Sequence, residues 1–115
     1  MRKESLKIAA AFAAGVAASA ARTRTSGDAV YLHDNLIAQR EEDGSVWVTL
    51  AGWPTVTTRD RINTICRVLG SGARFYQRDH SQYVSFPDGA EFSVDRYDRW
   101  EIVAAGGRIR NAAEA

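Results

Sequence analysis

Thr57-Thr58-Arg59-Asp60-Arg61-Ile62-Asn63-Thr64-Ile65-Cys66-Arg67-Val68-Leu69-Gly70 is the stretch on which the reading of the fold rests. Ile62, Ile65, Cys66 and Leu69 fall at i, i+3, i+4 and i+7, the spacing of one buried face of an α-helix. Both ends carry stop signals. Thr57 as N-cap with Asp60 three residues later is a variant of the capping box, and the carboxylate suits the positive end of the helix dipole. Gly70 stands where a C′ residue with positive φ is wanted. A helix packed by one face needs a partner layer, and the flanks supply it as strands.

Upstream, Gly52-Trp53-Pro54 closes a segment in which Val46, Val48 and Leu50 alternate with Trp47 and Thr49, the period of a half-buried strand. Before it, Glu41-Glu42-Asp43-Gly44 forms a turn, and residues 29–33 and 36–40 are two β-prone runs joined at Asp34-Asn35. These runs predict a three-strand antiparallel meander. Downstream, residues 73–77, 82–86 and 90–94 are strand-like runs separated by residues 78–81 and by Pro87-Asp88-Gly89, a second antiparallel meander. Residues 100–103 add a last strand or a short cover. Residues 4–21 are mostly helix formers with an Ile8, Phe12, Val16 stripe, which predicts an amino-terminal helix. A secretory signal is its rival, since Ala18-Ser19-Ala20 has the form of a cleavage site near Ala20. The run is alanine instead of leucine and is followed at once by Arg22 and Arg24, which favours the structural helix.

The expected architecture is therefore α+β: an alanine-rich helix in residues 1–24, one domain in 25–105, and a flexible tail in 106–115. Its core is expected to draw on Ile8, Phe12, Leu32, Ile37, Val46, Val48, Ile62, Ile65, Leu69 and Phe75. With 115 residues, 45% hydrophobic and 25% charged, the chain fits one globular domain and excludes collagenous, disordered and multi-span membrane classes. The net charge of +1 announces no bulk attraction to nucleic acid, although the charge is in blocks, basic in residues 1–24 and acidic in 25–50.

Few residues point to chemistry. His33 and His80 lack the spacing of a metal site, and the single cysteine, Cys66, lies on the apolar helix face, where a thiol is inert. No phosphate-binding glycine loop follows a strand, so the sequence calls for no catalytic residue, cofactor or metal. One surface stands out. Arg59, Asn63 and Arg67 repeat at i, i+4 and i+8 opposite the apolar face, with Arg61 beside them and Arg74, Tyr76 and Trp53 within reach. Guanidinium groups among aromatic rings suit an acidic protein partner or a phosphate backbone. The rival reading is a solvated helix face. Trp53, between Gly52 and Pro54, is the tryptophan expected at the surface, and Trp47 is expected in the core.

The pieces Phe12-x-x-Gly15 with Thr23 and Thr25, Asn35-x-Ile37-Ala38, Gly52-Trp53-x-Thr55-x-Thr57-Thr58 and Arg61-Ile62-Asn63 make the chain resemble a group of small uncharacterised proteins of tailed phages and prophages, collinear from about residue 11 to residue 83. Asp34 stands where the group's pattern leads one to expect glycine. The resemblance carries over no catalytic residue. It implies a phage gene context and a place inside an infected bacterium or in the virion, and because it includes the amino-terminal helix it argues against cleavage after Ala20. The expected function is a non-enzymatic accessory protein that binds a host or phage protein. The alternatives are nucleic-acid binding, and a minor virion or assembly component that forms homo-oligomers through the alanine-rich helix.

Overall fold

The computed structural model describes residues 2–102 and 110–111. Helix α1 (Lys3–Ala14) is shorter than the predicted 4–21. Gly15 ends it in the left-handed region at φ 73°, its N–H donating to the Phe12 carbonyl at 3.1 Å while Val16 N–H reaches the Ala11 carbonyl at 2.9 Å. The alanines beyond it become strand. β1 (Ala18–Ala20) pairs with β2 (Thr23–Thr25) across a turn with Ala21 and Arg22 at φ 46° and 62°. Pairing in a ladder overrides the helix preference of alanine here.

Strands β3 (Ala29–Leu32), β4 (Asn35–Arg40) and β5 (Val46–Val48) are the predicted first meander. The β3–β4 turn is centred on His33 and Asp34, both at positive φ, one residue earlier than predicted, and His33 is exposed. Helix α2 (Val56–Val68) follows. Its N-cap is Thr55, which accepts from Thr58 N–H at 3.1 Å, and not the predicted Thr57. Pro54 keeps Trp53 out of the helical region, and Thr55, still extended at φ −96° and ψ 162°, takes the cap position. Ser71 N–H donates to Cys66 O at 2.8 Å beyond Gly70, which has the predicted C′ conformation at φ 84°.

The second meander is β6 (Arg74–Arg78), β7 (Ser81–Ser85) and β8 (Glu91–Val94), a separate three-stranded sheet. β9 (Trp100–Ile102) then returns to the first sheet and pairs with β5, and β10 (Arg110–Asn111) pairs with β9. The large sheet has the order β1-β2-β3-β4-β5-β9-β10, so the fold is α+β with more strands than two three-strand meanders provide. The predicted tail lies outside the described residues apart from β10.

Both helices pack on the core between the sheets. Ile8 and Phe12 of α1, Ile62, Ile65 and Cys66 of α2, Leu32, Ile37, Val46 and Val48 of the large sheet, and Phe75 and Val84 of the small one are all buried in one cluster. Each such large side chain contributes roughly 1.5–3 kcal/mol of transfer free energy. Leu69, predicted as core, packs only partly buried against its edge. Phe75 meets Trp100 edge-on at 6.3 Å, joining the two sheets. Trp47 is buried as expected, its indole N–H donating to Glu41. Arg40 holds α1 down: its guanidinium lies 4.6 Å above the Phe12 ring and donates to the Phe12 carbonyl at 2.8 Å, a cation at the negative end of the helix.

Candidate functional site: a threonine-rimmed cleft beside Trp53

The predicted arginine stripe does not stand free in solvent. Arg61 is buried, 3% exposed, and donates to Ser5 Oγ at 2.6 Å and Thr23 Oγ1 at 2.9 Å, with Asp60 at 3.5 Å as its carboxylate neighbour. Ser5 Oγ in turn donates to Asp60. The network locks α1, α2 and β2 together, and desolvation lowers the Arg61 pKa from its usual value. Asn63 faces β6, where its amide donates to Phe75 O at 2.9 Å and accepts from Phe75 N–H at 2.7 Å, in the manner of an adjoining strand. Arg59 donates to the Pro54 carbonyl at 2.9 Å and to Gln82 at 3.1 Å, and desolvation lowers its pKa too. From Arg59 to Asn63 the stripe is a docking seam inside the fold. The helix is enclosed by neighbours on more sides than its apolar face reveals, and its long polar side chains satisfy their backbone and hydroxyl groups.

Arg67 and Arg74 are exposed as predicted. Tyr76 is half-buried and stacked on Tyr83, ring centroids 5.6 Å apart, and Arg78 lies 4.5 Å above Tyr83.

Trp53, the predicted aromatic of the site, reaches the surface at 58% exposed. The turn that carries it is fixed by backbone. Trp53 N–H donates to Leu50 O at 2.9 Å, Gly52 N–H to Arg96 O at 2.8 Å, and Thr55 N–H to Trp53 O at 2.8 Å. Gly52, at φ 83°, is pressed against Tyr97, where an added Cβ would lie 2.6 Å from a ring carbon. No other residue fits there without moving the tyrosine.

Beside Trp53 opens a cleft of about 410 Å³ between the β3–β4 hairpin and the first turn of α2. Leu32, Ile37 and Leu50 form its floor, Trp53 one wall, and His33, Asn35, Thr55, Thr57 and Thr58 its polar rim. Thr58 is buried, its hydroxyl 3.0 Å from that of Thr55, while Thr57 Oγ1 accepts from the exposed Arg2 guanidinium at 2.9 Å. The volume lies in the range of sites that enclose an organic group of moderate size. An apolar floor with a hydroxyl and amide rim can hold an uncharged side chain or ring and orient it by hydrogen bonds.

A second, more polar hollow of about 480 Å³ adjoins at His33 and is lined by Ser19, Arg22, Arg24 and Asp34 among others. His33 N–H donates to Arg22 O at 3.0 Å, so the two turns abut. Cys66 lies apart, fully buried, with desolvation pushing its thiol up to about 12, consistent with an inert thiol. Among the described residues no three His, Cys, Asp or Glu side chains cluster as metal ligands, and no helix is long and apolar enough to cross a membrane.

Sequence reasoning missed the cleft because its parts come from four segments. One signal was present: a helix start needs a single capping hydroxyl, and residues 55–58 offer three threonines. The residues that carry the phage resemblance divide between two places. Phe12, Thr23, Arg61 and Asn63 sit in the core and the seam, and Asn35, Ile37, Trp53, Thr55, Thr57 and Thr58 line the cleft.

No curated protein and no solved structure matches the chain. A phage family described as Kyanoviridae Gp96 protein matches residues 1–104, and the chain belongs to it.

Proposed function

We propose that this phage protein is a non-enzymatic accessory protein that binds another protein, of the host or of the phage, through the cleft and Trp53. It works in the infected cell or as a part of the virion. The observation that carries the reading is a tryptophan 58% exposed on a rigid turn at the mouth of an apolar cleft. Tyr97, 70% exposed, packs on the neighbouring Gly52 and extends the same surface. Large aromatic anchors next to pockets dominate the energetics of protein interfaces. Affinity purification from infected cells, comparing the parent with Trp53→Ala, tests it. Loss of the recovered partner with Trp53→Ala, but not with Arg67→Glu, is the expected result. Equal recovery with both variants overturns the reading.

A second reading has its own observation. Tyr76, Tyr83, Arg78 and Arg74 lie on one face of the small sheet, a set that suits single-stranded nucleic acid. Under that reading the affinity falls steeply with salt, and Arg74→Glu with Arg78→Glu flattens the slope by about two phosphate contacts.

A further inference from the structure

The cleft and the hollow meet at His33 but differ in character. The cleft has an apolar floor and a rim of threonine hydroxyls, the Asn35 amide and His33. In the hollow, Arg22 and Arg24 face one carboxylate, Asp34, and a third guanidinium, that of Arg2, is held at the cleft rim by Thr57. Arg24 pairs with Asp34 at 3.5 Å, but both side chains are largely exposed, so the pair neutralises little in water. Arg22 has no ion-pair partner among the described residues. A pocket with an apolar floor therefore opens beside a region of net positive charge.

We propose that the partner presents an extended acidic segment with one large apolar side chain, the side chain entering the cleft beside Trp53 and the carboxylates lying along Arg22 and Arg24. The proposal rests on the protein-binding reading above and names the chemistry of the partner. Charge complementarity carries it: the cleft floor is apolar, and the cations stand outside it, Arg2 at the rim and Arg22 and Arg24 in the adjoining hollow. An extended chain advances about 3.3 Å per residue, so the acidic positions fall within a few residues of the anchor. A nucleic-acid strand is less suited, because it would present a charged phosphate at every nucleotide to a cleft whose floor, Leu32, Ile37 and Leu50, is apolar.

Fluorescence anisotropy with a fluorescein-labelled peptide, Gly-Phe-Asp-Glu-Asp-Gly, on the full chain tests this. Saturable binding is expected. It should weaken about tenfold when the peptide acids become amides, and as much in the Arg22→Glu variant. Replacing the peptide phenylalanine by serine, or Trp53 by alanine, should abolish it, while Arg67→Glu leaves it unchanged. Absence of binding, equal binding of the amide peptide, indifference to Arg22→Glu, or tighter binding of an oligothymidylate of equal charge each overturns the proposal. If the probe fails while a partner recovered from infected cells still depends on Trp53, this inference falls and the protein-binding reading stands. If recovery does not depend on Trp53, both fall.

Discussion

The middle of α2 and its first turn both carry polar residues and use them in opposite ways. From Arg59 to Asn63 the polar groups are turned inward, each bonded to another element: Arg61 to α1 and β2, Asn63 to the β6 backbone, Arg59 to Pro54 and β7. At the first turn, Thr57 and its neighbours line an open cleft and Trp53 stands exposed. Charge on a helix is thus a poor marker of a working surface when strands flank it, whereas a large aromatic ring left in solvent on a rigid turn is a better one. A buried polar group must find partners, and a ring of that size is ordinarily buried.

The contrast predicts a graded series of stability changes. Arg61→Ala leaves the buried Ser5 and Thr23 hydroxyls without the donor they accept from and Asp60 without its cation, and should cost about 3 kcal/mol or more, read as a lower urea midpoint. A small change would mean that the seam is solvated and that the stripe is a surface after all. Asn63→Ala removes both bonds to Phe75 and strands a backbone pair, at roughly 2 kcal/mol. Hydrogen exchange at Phe75 should quicken with it, and unchanged protection would show that β6 keeps its edge by other means. Thr55→Ala should cost about 1 kcal/mol and Thr57→Ala much less, since Thr55 is the cap. The reverse order would return the cap to Thr57. Trp53→Ala comes last, within about 0.5 kcal/mol in thermal unfolding, because its ring is mostly in water. A drop of several degrees in melting temperature would make Trp53 a structural residue and remove the contrast.

Much of the fold was legible before any coordinates. The period of Ile62, Ile65 and Cys66, the alternation around Trp47 and the turn residues between strands are local signals, and they place α2 and β3 to β8; of the ten residues expected in the core all but Leu69 are buried, while Val30, Leu50, Val84, Phe86 and Trp100 join them unannounced. Residues 15–25 were misread because alanine favours helix in isolation, whereas β1 and β2 exist through their pairing with each other and with β3. The site was less legible. Trp53 could be found from its Gly-Trp-Pro setting, but the fates of Arg59, Arg61 and Asn63 depend on Thr23, Ser5 and Phe75, which only the folded chain brings near. His33 and Asn35 reach the cleft through a turn whose position was off by one residue.

The pairing of β9 with β5 has a consequence for how the protein is made. Val46 meets Ile102 and Val48 meets Trp100, so this part of the large sheet closes only after β6 to β8 have left the ribosome, while β6, β7 and β8 pair locally as soon as they emerge. At about 5–20 residues per second the nascent chain spends several seconds with β5 exposed along one edge. The order of synthesis therefore leaves β5 as an open edge, free to stick to other chains, until β9 emerges behind the whole of the small sheet.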